Sequence, residues 1–172
     1  LVRSRGLGDV YKRQVEHIGI IAAGIGFGGQ LGLYGAMLHM VNHALSKSLL
    51  FFLVGDITQK YGTKKIRRIE GLLQAMPFTG TLFLAAIFAI TGSPPFGVFV
   101  SEITILSAGF ARGSLVPSIL FILFVALVFT GAMYYAGRMT FGGLPRRVSQ
   151  GEGGKMAVVA AAVPMILVLV LG

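Results

Sequence analysis

Three ionisable side chains recur at fixed spacing inside an apolar run. In LHMVNHALSKSLLFFLVGD, His39, His43 and Lys47 stand at i, i+4 and i+8. At ~100° per residue they fall within about 80° of one another on one helix face, and Asn42 and Ser46 widen that face to about 140°. The opposite face is Leu, Val, Phe and Ala. With ~1.5 Å of rise per residue the file spans about 12 Å. A lysine at the bilayer centre costs roughly 2.5–3.5 kcal/mol on insertion scales, so it must meet a partner, water or backbone carbonyls. Two imidazoles and an amine in file suit stepwise proton transfer, because histidine accepts on one nitrogen and releases from the other near neutral pH. The competing reading is a polar seam, with Ser, Asn and His bonding between helices. Asp56, beside a basic loop, reads as a helix-boundary residue.

The second chemical feature is GSPPFGVFVSEITIL, residues 92–106. Pro94 and Pro95 remove two backbone donors and clash with preceding carbonyls, so a continuous helix breaks here. Unpaired backbone at membrane depth survives where it is buried in protein or lines a water-filled cavity. Discontinuous helices of this kind mark ion sites in transporters. Seven residues past Pro95 comes Glu102, the only acid between Glu70 and Glu152. The alternative is a plain loop joining two short segments, with Glu102 at the surface.

These residues need a membrane to position them. Of 172 residues, 55% are apolar and 12% charged, against roughly 25% charged in a soluble domain. The absence of cysteine excludes a disulfide scaffold and Cys-ligated clusters. Residues 15–29 read as a partial span. Residues 30–58, 80–109 (interrupted at 92–95) and 115–137 read as full spans, and 156–171 as a second partial one. The expected fold class is therefore all-α: a polytopic transmembrane helix bundle with one Pro-broken helix. The Gly24–Gly29 run has no preceding strand and reads as close helix packing rather than a nucleotide loop. Glu16 and His17 are adjacent and point apart on a helix, which makes them a weak pair.

Charge fixes the orientation. The net charge is +9, yet nine of the eleven basic residues after position 14 lie in loops 60–70 and 138–155. Two crossings separate these loops, so they share a side, which the positive-inside rule makes cytoplasmic. No aromatic-interleaved basic surface exists, so nucleic acid is not an expected partner. Residues 1–14, LVRSRGLGDVYKRQ, are polar and basic, unlike the rest. Their end, DVYKRQ, is the translation of an adapter used in transposon-based sequencing libraries. They are expected to be an assembly scar preceding a membrane domain over 15–172, itself a fragment.

HMVNHALSKSLLFFLVGDI, a basic loop, GLLQAMPFTG and AITGSPPFGVFVSEITIL, in that order over about residues 16–143, resemble the antiporter-like membrane subunits. These occur in respiratory complex I, in Mrp-type cation/proton antiporters and in energy-converting hydrogenases. EHIGI with the two motifs is similar to hydrogenase-4 component F in particular. The resemblance implies a C-terminal piece, helices ten to fourteen, of a fourteen-helix subunit. The eleventh helix would carry His39, His43 and Lys47, and the broken twelfth Glu102, in a proton pathway supported by Asn42 and Ser46. The family's first half-channel, a glutamate on the fifth helix and a lysine on the seventh, has no counterpart here, so these residues alone are not expected to move a proton across. The implied partners are other membrane subunits and a peripheral redox module of a hydrogenase or complex I-like (NADH–quinone oxidoreductase type) assembly. That module would hold the iron–sulfur, nickel–iron or flavin centres. No cofactor, metal or redox chemistry is expected of this chain. Two alternatives stand beside a redox-driven proton pump: an Mrp-type Na⁺/H⁺ antiporter subunit, and a haem-binding membrane anchor ligated by His39 and His43. Two histidines four apart on one helix do not readily grip opposite faces of one haem.

Overall fold

The computed structural model describes residues 5–145, 148–153 and 155–172. Residues 1–4 of the expected scar and Arg146 and Arg147 of the second basic loop lie outside the described residues, as do the side chains of 5–15 and 155–157. Among the described residues every regular element is helical. They run α1 (Arg5–Phe27), α2 (Gly29–Tyr61), a 3-10 turn (Ile66–Arg68), α3 (Leu72–Ala75), α4 (Pro77–Ile90), α5 (Gly97–Ala111), α6 (Leu115–Thr140) and α7 (Lys155–Val170). Helix α1 thus continues back to Arg5, into the stretch that composition sets apart from the membrane domain.

Helix α2 is the central post, with α1, α4, α5 and α7 all packed on it. At ~1.5 Å per residue its 33 residues reach about 50 Å, longer than a bilayer's hydrocarbon core of about 30 Å. Helices α2 and α6 are long and apolar enough to cross a membrane unbroken. Helices α4 and α5, at 14 and 15 residues, are too short to do so singly. The segment between them, residues 91–96, holds Pro94 and Pro95. Apolar side chains face outward along α6, among them Val116, Ile119, Leu123, Phe124 and Leu127. A soluble protein rarely exposes such a surface, and lipid or neighbouring helices satisfy it.

The core lies along the C-terminal half of α2. Leu49, Leu53 and Ile57 of α2 are buried with Leu72, Met76 and Phe83 from the α3–α4 region and Val168 of α7. A second cluster, Ile20, Phe27, Ile105 and Ala108, joins α1 to α5. Between α1 and α2 the backbones come close. A Cβ on Gly32 would stand 2.5 Å from the Gly24 carbonyl oxygen, so only glycine permits this crossing.

At one end of the bundle the 138–155 loop is tied to α3 and to the end of α2. Leu144 N–H donates to Gln74 Oε1, Gly151 N–H to Ala75 O, and Lys60 Nζ reaches Ser149 Oγ. Glu152 then caps α4. Its carboxylate accepts from Phe78 N–H at 2.8 Å, Thr79 N–H at 3.3 Å and the Thr79 hydroxyl at 2.6 Å. A carboxylate at a helix N-terminus satisfies orphan donors and meets the positive end of the helix dipole. Glu152→Ala is expected to lower stability by about 1 kcal/mol, and Glu152→Gln by less. Thermal denaturation of the assembled membrane complex reads both. Asp56 differs from the boundary role its position suggests: it is buried and lies 3.2 Å from the Thr79 hydroxyl, inside this capping network.

Candidate functional site

The polar stripe of α2 turns inward, toward α1 and α5. His39, Asn42 and Ser46 are fully buried. Two of them are held by partners on α5. Asn42 Nδ2 donates to the carbonyl of Gly97, the first residue of α5, at 2.8 Å. His39 Nδ1 lies 2.9 Å from Ser101 Oγ on α5. Ser101 in turn donates to Val98 O at 2.7 Å, one turn earlier in the same helix.

The structure adds a third imidazole. His17 of α1 is buried, and its Nδ1 lies 3.1 Å from His39 Nε2. Its ring centre is 3.9 Å from that of His43. His39 and His43 stand nearly parallel but 6.4 Å apart. The order in space is therefore His43, His17, His39, Ser101, not the order along α2. Lys47, half-buried, extends the file and interacts electrostatically with both His43 and His17. Sequence reasoning passed over His17 because it sits beside Glu16, and adjacent helical residues make a weak pair. An ionisable residue within an apolar span was itself the usable signal.

Glu102 is buried at 7% exposure, one residue after Ser101. Its carboxylate sits against the interruption between α4 and α5. Gly92 has φ of 70°, in the left-handed region, and a Cβ there would run into the Glu102 carboxylate. Both facts require glycine at 92. A cleft of about 450 Å³ opens beside it, lined by Gly92, Pro94, Glu102, Leu106, Phe121 and Val125. Glu102 also interacts electrostatically with Glu16. The structure thus brings buried His39, Asn42 and Ser46 and half-buried His43 onto the same side of α2 as His17 and Ser101. Glu102 it sets on the next face of α5, toward the cleft.

Chemically, the strip offers proton donors and acceptors in sequence. Asn42 Oδ1, His43 Nδ1 and Ser46 Oγ have no hydrogen-bond partner among the described residues. The imidazoles stack rather than converge on a point, and no group of three His, Asp or Glu among the described residues is arranged to hold a metal ion.

Comparison with known proteins agrees on the kind of scaffold. Residues 14–130 match the family described as NADH:quinone oxidoreductase/Mrp antiporter, TM. The chain is 42% identical over 106 residues to a hydrogenase-4 component F homolog of Methylacidiphilum infernorum, an alignment covering 62% of this chain and 22% of that protein. It is 38% identical over 88 residues to NADH-quinone oxidoreductase subunit N of Desulforudis audaxviator, covering 51% of this chain and 18% of that protein. In structure it is similar to the membrane-bound sulfane sulfur reductase, an archaeal respiratory membrane complex. There the TM-score is 0.80 at 26% identity, over 91% of this chain and 26% of that one. The chain spans about a quarter or less of each of these proteins.

Proposed function

Because the chain belongs to the NADH:quinone oxidoreductase/Mrp antiporter family of membrane subunits, we propose that it is the proton-carrying C-terminal part of a larger subunit in a redox-driven complex of the hydrogenase-4 or NADH–quinone oxidoreductase type. The observation that carries this reading is the contact series from half-buried His43 to buried His17, His39 and Ser101, drawn from three helices. Protons pass from Lys47 through these imidazoles toward Glu102 at the interruption between α4 and α5. Those two short helices act together as one discontinuous crossing, the twelfth of fourteen. Such breaks place charged groups and free backbone beside a cavity inside the membrane, which the cleft at Glu102 supports. Asn42 holds the start of α5 against α2, and Ser46 adds an acceptor to the strip.

Electron transfer belongs to partner subunits, because this chain has no cysteine for iron–sulfur or nickel centres. Charge movements in those partners would reach the relay through Lys47 and Glu102. The chain resides in the cell membrane with loops 60–70 and 138–155 on the cytoplasmic side, as their shared end and their basic residues support.

The test is proton translocation by the intact complex carrying the full-length subunit. Glu102→Gln and Lys47→Ala are each expected to lower translocation at least about tenfold. Rates that match the unaltered complex in both variants would overturn the assignment. Proton movement driven by a Na⁺ gradient, without redox turnover, would move the chain to the antiporter side of its family.

A further inference from the structure

We propose that Ser101 is a positioning residue that makes His39 the proton-accepting member of the His17–His39 pair. This rests on the relay reading above. Ser101 is fully buried on α5 and has one hydroxyl proton for two neighbours, Val98 O at 2.7 Å and His39 Nδ1 at 2.9 Å. The shorter separation is the usual O–H···O length, and the longer is that of N–H···O. A carbonyl oxygen accepts only. The hydroxyl therefore donates to Val98 O, and its oxygen accepts from His39 Nδ1–H.

One assignment then fixes the next. A neutral imidazole carries a single N–H, so His39 Nε2 holds a lone pair. That lone pair faces His17 Nδ1 at 3.1 Å, and His17 donates. The donor order runs His17, His39, Ser101, Val98, and it ends on a peptide carbonyl. The tautomers follow from this network.

The transfer balances. His17 takes a proton on Nε2 from the His43 side and becomes an imidazolium. Its Nδ1–H bond breaks as a new bond forms to His39 Nε2. His17 returns to neutral, and His39 becomes the imidazolium with its Nδ1–H still on Ser101 Oγ. The other neutral tautomer of His39 would point an N–H at His17 Nδ1–H and block the step.

The experiment uses the intact complex with ¹⁵N-labelled histidine, the His39 signals being those lost in His39→Gln. The unaltered complex is expected to show His39 protonated on Nδ1. In Ser101→Ala the Nε2–H form should rise to a substantial share, and translocation should fall roughly three- to tenfold, the scale of one hydrogen bond. Ser101→Thr, which keeps the hydroxyl, should stay within about twofold on the same scale. An unchanged His39 tautomer in Ser101→Ala, or a threonine variant as impaired as alanine, would overturn the proposal. Should the alanine variant not assemble, Ser101→Cys, of similar volume and weak as an acceptor, is read in its place and must show the same change. If His39→Gln translocates normally while the tautomer still responds to Ser101, the relay reading fails and the positioning role stands.

Discussion

Replacing His17 with alanine should reduce proton translocation by the intact complex about a hundredfold, the scale of losing one positioned proton-transfer group. The expectation rests on distance. His39 and His43 have ring centres 6.4 Å apart, and the His17 ring stands 3.9 Å from His43 with a nitrogen 3.1 Å from His39. Without His17 the file loses its hydrogen bond between imidazoles and the ring contact that joins His43 to it. His17→Gln tests chemistry separately from packing, since it fills most of the volume and keeps a hydrogen-bonding group but cannot shuttle a proton from one ring nitrogen to another. Both variants should assemble and retain electron transfer. Full translocation in either one would show that protons bypass α1.

The second large effect is structural. Gly32→Val is expected to prevent assembly or to lower the melting temperature of the complex by several degrees. A Cβ at this position would lie 2.5 Å from the Gly24 backbone oxygen, and backbone cannot rotate away as a flexible side chain can. Overpacking typically costs about 1–3 kcal/mol, and rigid backbone neighbours put this site toward the upper end. The consequence for the relay is direct. Spreading α1 from α2 lifts His17 off His39 and His43, so any assembled Gly32→Val complex should also translocate poorly. Gly26, on α1, has nothing within 4 Å of an added Cβ. Gly26→Val is the matched control, and equal damage from both would refute this account.

Much of the framework was legible in the residues. The stripe of His39, His43 and Lys47 was readable because ionisable groups at helical spacing have few explanations inside an apolar run. The proline pair itself was conspicuous, because proline removes donors, and it lies in residues 91–96, between α4 and α5. Counting crossings puts the two basic loops on one side, and hydrogen bonds join the second of them to α3 and the end of α2. Other features depended on contacts between distant segments. The sequence showed His17 and Ser101 as separate polar residues. Only the crossing of α1, α2 and α5 makes them neighbours of His39. Nothing local announces that Glu152 caps a helix beginning 75 residues earlier, at Pro77. Asp56 read as a boundary residue, and its burial beside Thr79 depends on the packing of α4 against α2.

The spacing of the relay along the chain bears on how the protein is made. His17 and His39 are 22 positions apart, and His39 and Ser101 are 62 apart. Chains emerge from the ribosome N-terminus first, so α1 and α2 enter the lipid as a hairpin well before α5 exists. During that interval the imidazoles of His17, His39 and His43 have one another within the hairpin, and His39 Nδ1 waits for its hydroxyl. Close glycine contact between α1 and α2 keeps the nascent hairpin shut over its polar seam until α5 arrives. Biogenesis, as much as proton traffic, thus depends on the tightness of the crossing between α1 and α2.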